Sequence, residues 1–446
     1  MRWFERLFFG LLVGVAVSSA HAWSRHAIGT WQALNALPEV RSEPLVKVEL
    51  LSGFLKDQGA ALEGLLQQEE QWARGHVRNY PARPEVLAYR HDKDADASVW
   101  VHRFLNAVRA NPNMPLPLYL QLQPTPQALA DNHRPALTWQ DVSLHKDASL
   151  VDAKFVALRE AEFVSVLDVI ATASDEPDYG LDLGLWENNA TEFGQSYGFG
   201  KQPLGDPKHL ASSQVSFHSG YFHESPLMYA SSGALRRAFP EYRMHLWQTL
   251  ARHAMLSGHP YWGWRFAGWA MHYAQDLTQP YHASVLPGSS VAGVLWWDAL
   301  TISGLPQSKD DRLQRVADRH AVLESFHQQS LLAALQKGEF SHPNLLAFAN
   351  LSKDQGRLVL TEFSLRDDVA KAAFIVADEV DALVSKTFPI SGPELMNSNS
   401  TLNFYSAVAQ HDPVARDALD KHLRDLAGNF GRVTRAIWRR LRTQSC

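Results

Sequence analysis

His272, Asp276 and His282 fall within eleven residues, His272-Tyr273-Ala274-Gln275-Asp276-Leu277-Thr278-Gln279-Pro280-Tyr281-His282. Side chains four apart on a helix share a face, one turn apart, so His272 and Asp276 are expected side by side. Pro280 stops that helix, and His282 returns from the turn that follows. Two imidazoles and a carboxylate are ligands that zinc takes where cysteine is lacking. A hydrogen-bonded His–Asp pair at a helix end is the plainer account of H-x-x-x-D by itself. The metal reading gains weight because matching pieces occur elsewhere in the chain.

His320 and Glu324 repeat the four-residue spacing. An acidic group, Ala173-Ser174-Asp175-Glu176-Pro177-Asp178, closes an expected helix. Carboxylates there oppose the helix dipole, so a cation nearby is expected to relieve them. The stretch Phe217-His218-Ser219-Gly220-Tyr221-Phe222-His223-Glu224 offers two further imidazoles, with His218 and His223 in competition, as are Asp175 and Asp178. Residues 1–22 read as a secretory signal: Arg2 and Arg6, an apolar run from Leu7 to Val17 too short to span a bilayer, then Ser19-Ala20-His21-Ala22 as cleavage site. Retention as an anchor is the alternative. Cleavage would expose Trp23, whose α-amine, with a pKa of roughly 8, and carbonyl can chelate a metal as no internal residue can. His26 follows three residues later.

These residues require elements to hold them. Apolar periodicity predicts helices over 26–36, 44–73 (one or two), 98–110, 150–173, 228–258 (split near Pro240), 260–279, 310–336, 365–388 and 413–441. Residues 81–96 read as a loop, 111–140 as a proline-rich connection and 180–217 as an ordered loop, long enough to suggest function. Residues 285–305, with Val291, Val294, Leu295, Trp296 and Trp297, suit a lid or membrane-touching loop, or packed core. The arginines near the end, Arg432 to Arg442, complement a helix C-terminus, a weak surface anchor being the alternative. The fold class expected is all-α, with metals in a cleft between helices.

The 446 residues suffice for one large or two ordinary domains. A net charge of −5 gives no basic field for duplex nucleic acid. The lone cysteine, Cys446, precludes a disulfide within the chain.

Taken in order, the pieces resemble the zinc-dependent phospholipase C and single-strand-specific nuclease superfamily: a mature chain starting on Trp, an early histidine, Ala-small-Asp at a helix end, a later histidine, H-Y-x-x-D-x-x-Q-P-x-H and a final H-x-x-x-E. The resemblance covers about residues 150–340 and the first mature residues. It leaves 40–150 as an N-terminal insert and 340–446 as a helical extension within one domain, 23–446. It implies three zinc ions: one on Asp175, His218, His272 and Asp276; one on Trp23, His26 and Asp276, which bridges the pair; one on His282, His320 and Glu324. The gaps from Asp175 to His218 and from His282 to His320 exceed the family's usual spacing. Asp175 would also serve as proton acceptor or orienting group, with Asp276 the second catalytic carboxylate. The implied reaction is phosphodiester hydrolysis by zinc-bound hydroxide, in a periplasmic or secreted protein. Ala283-Ser284 and the apolar loop favour phospholipid head groups and transient membrane-surface contact. Single-strand nuclease or 3′-nucleotidase activity, with Trp186, Tyr197 and Phe199 stacking on bases, is the alternative, followed by a non-catalytic zinc-stabilised protein.

Overall fold

The computed structural model describes residues 23, 25–123, 133–145, 153–290, 293, 294, 296, 303, 307–355, 358, 360, 361, 364–388 and 403–444. The expected signal, 1–22, and most of the 291–302 loop lie outside the described residues. Helix makes up 63% and strand 4%. The longer helices are α1 (His26–Asn35), α2 (Leu51–His76), α3 (Ala97–Ala107), α4 (Val166–Asp175), α5 (Pro240–Leu256), α6 (Pro260–Asp276), α7 (Gln307–Gln336), α8 (Lys371–Thr387) and α9 (Pro413–Gln444). Proline stands first in α5, α6 and α9, where its fixed φ suits the helix and its missing N–H is not needed.

Helix α6 is the centre of the molecule. It packs against α5 and α4, and α9 lies across both α6 and α1. Trp262, Phe266 and Trp269 of α6 are wholly buried, with Trp247 of α5 stacked on Phe266 and edge-on to Trp269. Gly268 lets α4 and α6 approach closely: a Cβ there would lie 2.6 Å from Ala173 Cβ and 2.7 Å from the Ile170 carbonyl oxygen.

The chain departs from the sequence reading at 150–165. That stretch, expected to be helical, forms two strands among its described residues, β4 (Lys154–Ala157) and β5 (Phe163–Val164), and only Val166–Asp175 is helix. The central strand β4 pairs antiparallel with β2 (Tyr119–Leu122) and β3 (Ala136–Leu137), in the order β2-β4-β3, with Leu120 opposite Val156. Strand β5 pairs with β1 (Val46–Lys47). Ala161, at φ +66°, sits in the turn between β4 and β5, a conformation no helix continues through. The three-stranded sheet abuts α4 through β2.

The C-terminal arginines tie α9 inward. Arg435 is fully buried and bonds Asp354 and the carbonyls of Phe348 and Asn350; Arg439 also reaches Asp354, and Arg442 pairs with Glu43. Arg440 donates to the Leu360 carbonyl, so ion pairs and carbonyl contacts occupy four of the five basic groups considered for a surface anchor. Among the described residues no helix is long and apolar enough to cross a membrane.

Candidate metal centre

Helix α6 delivers its residues as the four-residue spacing requires. His272 and Asp276 occupy the last turns of the helix, both fully buried. The helix stops at Asp276, and Pro280 opens a short turn, Pro280–Ala283, that carries His282. Gln279 caps that turn by accepting from the Tyr281 N–H at 2.7 Å. His26 stands at the first position of α1, and His218 ends a four-residue helix, Val215–His218.

Five groups converge. Asp178 Oδ1 lies 3.6 Å from His218 Nδ1 and 3.5 Å from His272 Nε2. His218 Nδ1 and His272 Nε2 are 3.0 Å apart. Asp276 Oδ2 lies 2.8 Å from His218 Nδ1 and 3.3 Å from His272 Nε2. A tetrahedral zinc with bonds of about 2.0–2.1 Å has ligand–ligand edges of about 3.3 Å, so these four atoms have the spacing of one coordination shell. The other oxygens of both carboxylates face His26: Asp276 Oδ1 at 3.1 Å and Asp178 Oδ2 at 3.9 Å from its Nε2. His282, His320 and Glu324 form a separate buried group, with His320 Nε2 2.5 Å from Glu324 Oε1.

The protonation pattern fits cation ligands. A carbonyl oxygen only accepts, so each ring nitrogen bonded to one carries the proton. His26 Nδ1 donates to Gln275 Oε1 at 2.8 Å, His272 Nδ1 to the Ser174 carbonyl at 2.7 Å, and His282 Nδ1 to the His218 carbonyl at 2.7 Å. The opposite nitrogen, Nε2, is then the ligand atom, as in metal sites where an outer partner fixes the tautomer. Gln275 is itself held by donating to Thr30 and Thr434. His218 is turned the other way: Asp182 Oδ2 lies 3.3 Å from its Nε2, and Asp182 is fixed by Tyr273 and Arg243. His26 Nε2 and Asp276 Oδ1, 3.1 Å apart, are buried with no well-directed hydrogen bond between them or to any other group, an arrangement that is costly unless something else satisfies them. Together with the donor spacing, these atoms fit a bound metal ion.

Electrostatics agree. Burial opposes the charge of His26, but Asp276, Asp178 and Asp175 outweigh it and push the ring up to about 9. Burial likewise opposes His218, and Asp182, Asp276 and Asp178 raise it to about 10. Asp276 resists its own burial because His272, His218 and His26 hold its carboxyl well below the usual range. The pocket therefore contains negative charge that needs cations, which protons supply in the absence of metal. Burial, with His320 adjacent, lowers His282 to about 3, so it is neutral and ready to ligate.

Sequence reasoning named His26, His218, His272, Asp276, His282, His320 and Glu324, and each lies in one of these groups. Asp175 lies elsewhere. Its oxygens accept from the Ala27 N–H at 3.0 Å, Gln121 Nε2 at 2.8 Å and Tyr179 O–H at 3.3 Å, joining α1, β2 and α4. Asp178, weighed against it, lies in the cluster with His218 and His272 that could hold a metal ion. His223 is likewise remote, bonded to the Arg366 carbonyl at 2.8 Å. Trp23 is buried next to the site: its indole N–H donates to Thr278 at 3.0 Å, and its ring meets His327, Phe348 and Phe430 edge-on. The cation expected near the acidic turn is Arg265, which grips buried Glu176 through Nε at 3.0 Å, with Trp269 donating to the same carboxylate.

Sequence reading missed Asp182, Gln275 as a tautomer-setting group, and Arg243. Only the adjacency of Gln275 to Asp276 in the motif offered a signal. The rings of Trp186, Tyr197 and Phe199 are buried, Phe199 under the Arg109 guanidinium and Trp186 against Phe217, so they present no face to a base. No family model, curated protein or solved structure matches the chain.

Proposed function

We propose that the chain is an exported trinuclear-zinc phosphodiesterase that hydrolyses phospholipid head groups, as zinc-dependent phospholipases C do. The observation that carries this reading is the Asp178–His218–His272–Asp276 set, joined to His26 through the second oxygen of each carboxylate. Zinc would be held there, on Trp23 once the signal is cut, and on His282, His320 and Glu324.

Bound zinc would supply charge to polarise the phosphoryl group and make water nucleophilic at neutral pH. The chain's own groups do the rest. Asp276, fully buried and ionised, holds the two histidine sets in one frame. Asp178 is 7% exposed where Asp276 is 0% and Asp175 is 3%, so it is the carboxylate best placed to take a proton from attacking water. Asp175 positions α1 and α4 instead. His320 and Glu324, at 8% and 7% exposed, would hold the zinc that steadies the leaving oxygen. Trp296 is 64% exposed, while Val294 two residues before it is buried in a cluster with Tyr221 and Met228. An exposed indole two residues from a buried valine suits a lipid interface.

The test is elemental analysis of protein secreted and cut before Trp23, then turnover of phosphatidylcholine vesicles against single-stranded DNA. About three zinc ions per chain with head-group release is expected. Preference for DNA would shift the reading to nuclease or nucleotidase. Zinc without turnover of either would leave the metals structural.

A further inference from the structure

A second cavity, of about 400 Å³, opens where α2, α5 and α9 meet. It lies near the C-terminal end of α5, which reaches the start of α6 through only three residues. His272 is twelve residues further along α6, about 18 Å at the helical rise, so this cavity is separate from the metal centre.

Its lining is unusual for a chain of net charge −5. Two arginines, Arg252 and Arg440, border it, and none of its lining residues is Asp or Glu. Glu69 is engaged by the cavity-lining His245, whose Nδ1 lies 2.9 Å from each carboxylate oxygen. Arg440 keeps one N–H on the Leu360 carbonyl. Among the described residues Arg252 makes no hydrogen bond or ion pair with the protein. Two guanidiniums on a wall without acids call for an acceptor rich in oxygens. Leu65 and Leu256 supply apolar wall, and Leu256 stays 58% exposed with nothing covering it.

We propose that this cavity is a second ligand site, taking a phosphomonoester that carries a short alkyl group. The phosphate oxygens would accept from Arg252 and Arg440, and the alkyl group would cover Leu256. The volume suits a small molecule. The site does not depend on the metal reading.

The experiment is titration calorimetry of the zinc-loaded chain with hexyl phosphate, comparing wild type with Arg252→Glu and Arg440→Gln. A flotation arm uses vesicles containing phosphatidic acid, to learn whether the same phosphate chemistry comes from a soluble ester or a lipid. A binding step is expected that Arg252→Glu weakens about tenfold or more and Arg440→Gln also weakens, with zinc content unchanged. Vesicle capture lost in Arg252→Glu would assign the phosphate to lipid. Identical binding in wild type and both variants, or no binding by any, would overturn the proposal.

Discussion

His272 of α6 donates from Nδ1 to the carbonyl oxygen of Ser174 in α4 at 2.7 Å, across 98 residues of sequence. That bond sets which nitrogen of His272 faces Asp178, His218 and Asp276. The two helices approach closely at Gly268, one turn earlier on the same face of α6. A packing contact that holds no candidate ligand thus lies one turn from the orientation of His272.

Gly268→Ala tests whether the two are coupled. The added Cβ would meet Ala173 at 2.6 Å and the Ile170 carbonyl at 2.7 Å. Backbone cannot yield cheaply, so overpacking is expected to cost about 1–3 kcal/mol and to draw His272 off Ser174. Chemical denaturation should report the loss, and elemental analysis a drop in metal at the paired sites. Gly64→Ala is the control: nothing lies within 4 Å of its Cβ, and removing a helix glycine there should stabilise by about 0.5–1 kcal/mol. Equal behaviour of the two variants would sever packing from metal affinity.

Asp276→Asn addresses the shared carboxylate. One oxygen of Asp276 faces His26 and the other faces His218 and His272. Neutralising it should release two metals together and leave that of His282, His320 and Glu324, so content should fall from about three to about one while activity vanishes. Release of a single metal would argue against sharing.

The metal-free protein should have a distinctive pH profile. His26 and His218 rise from an ordinary 6.5 to about 9 and about 10 because carboxylates surround them. A raised folded-state value means the native state binds those protons more tightly than the unfolded chain. The stabilisation is complete below about pH 6.5 and is lost as pH rises through 9 to 10. Melting temperature of chelator-stripped protein should therefore fall progressively from about pH 6.5 and level off once pH passes about 10. With metal bound, the cation replaces the protons and that fall should disappear. Parallel profiles with and without metal would place the histidines' protons outside the metal-binding equilibrium.

Much of this arrangement was legible because helix geometry is local. His272 with Asp276 and His320 with Glu324 are read at four-residue spacing, and Pro280 marks the break that brings His282 back. The rest depended on non-local or irregular backbone. Val156 alternates with Phe155 and Leu158 in a way that fits helix or strand, and its partner Leu120 is 36 residues away. The choice between Asp175 and Asp178 turned on a change of winding: the α-helix ends at Asp175 and a 3-10 turn runs from Glu176 to Tyr179. Helical phase no longer predicts direction there. Asp182 sits in a segment with no period at all, and its task of orienting His218 is visible only in three dimensions.

Trp23 provides the last test. Its indole is fixed by Thr278, two residues beyond Asp276, and by the rings of His327, Phe348 and Phe430. This anchoring holds its backbone near His26 whether or not the chain begins there. One additional residue before Trp23 would leave the indole seated but convert the α-amine, a ligand with a pKa of roughly 8, into an amide. If the amine binds metal, the extended protein should fold normally, by its tryptophan fluorescence and melting temperature, yet carry one zinc fewer and turn over more slowly. If the tryptophan is only a hydrophobic plug, zinc content and activity will match the correctly cut chain. Trp23→Phe separates the roles from the other side: it keeps the amine and loses the Thr278 bond, so it should lower stability more than metal content.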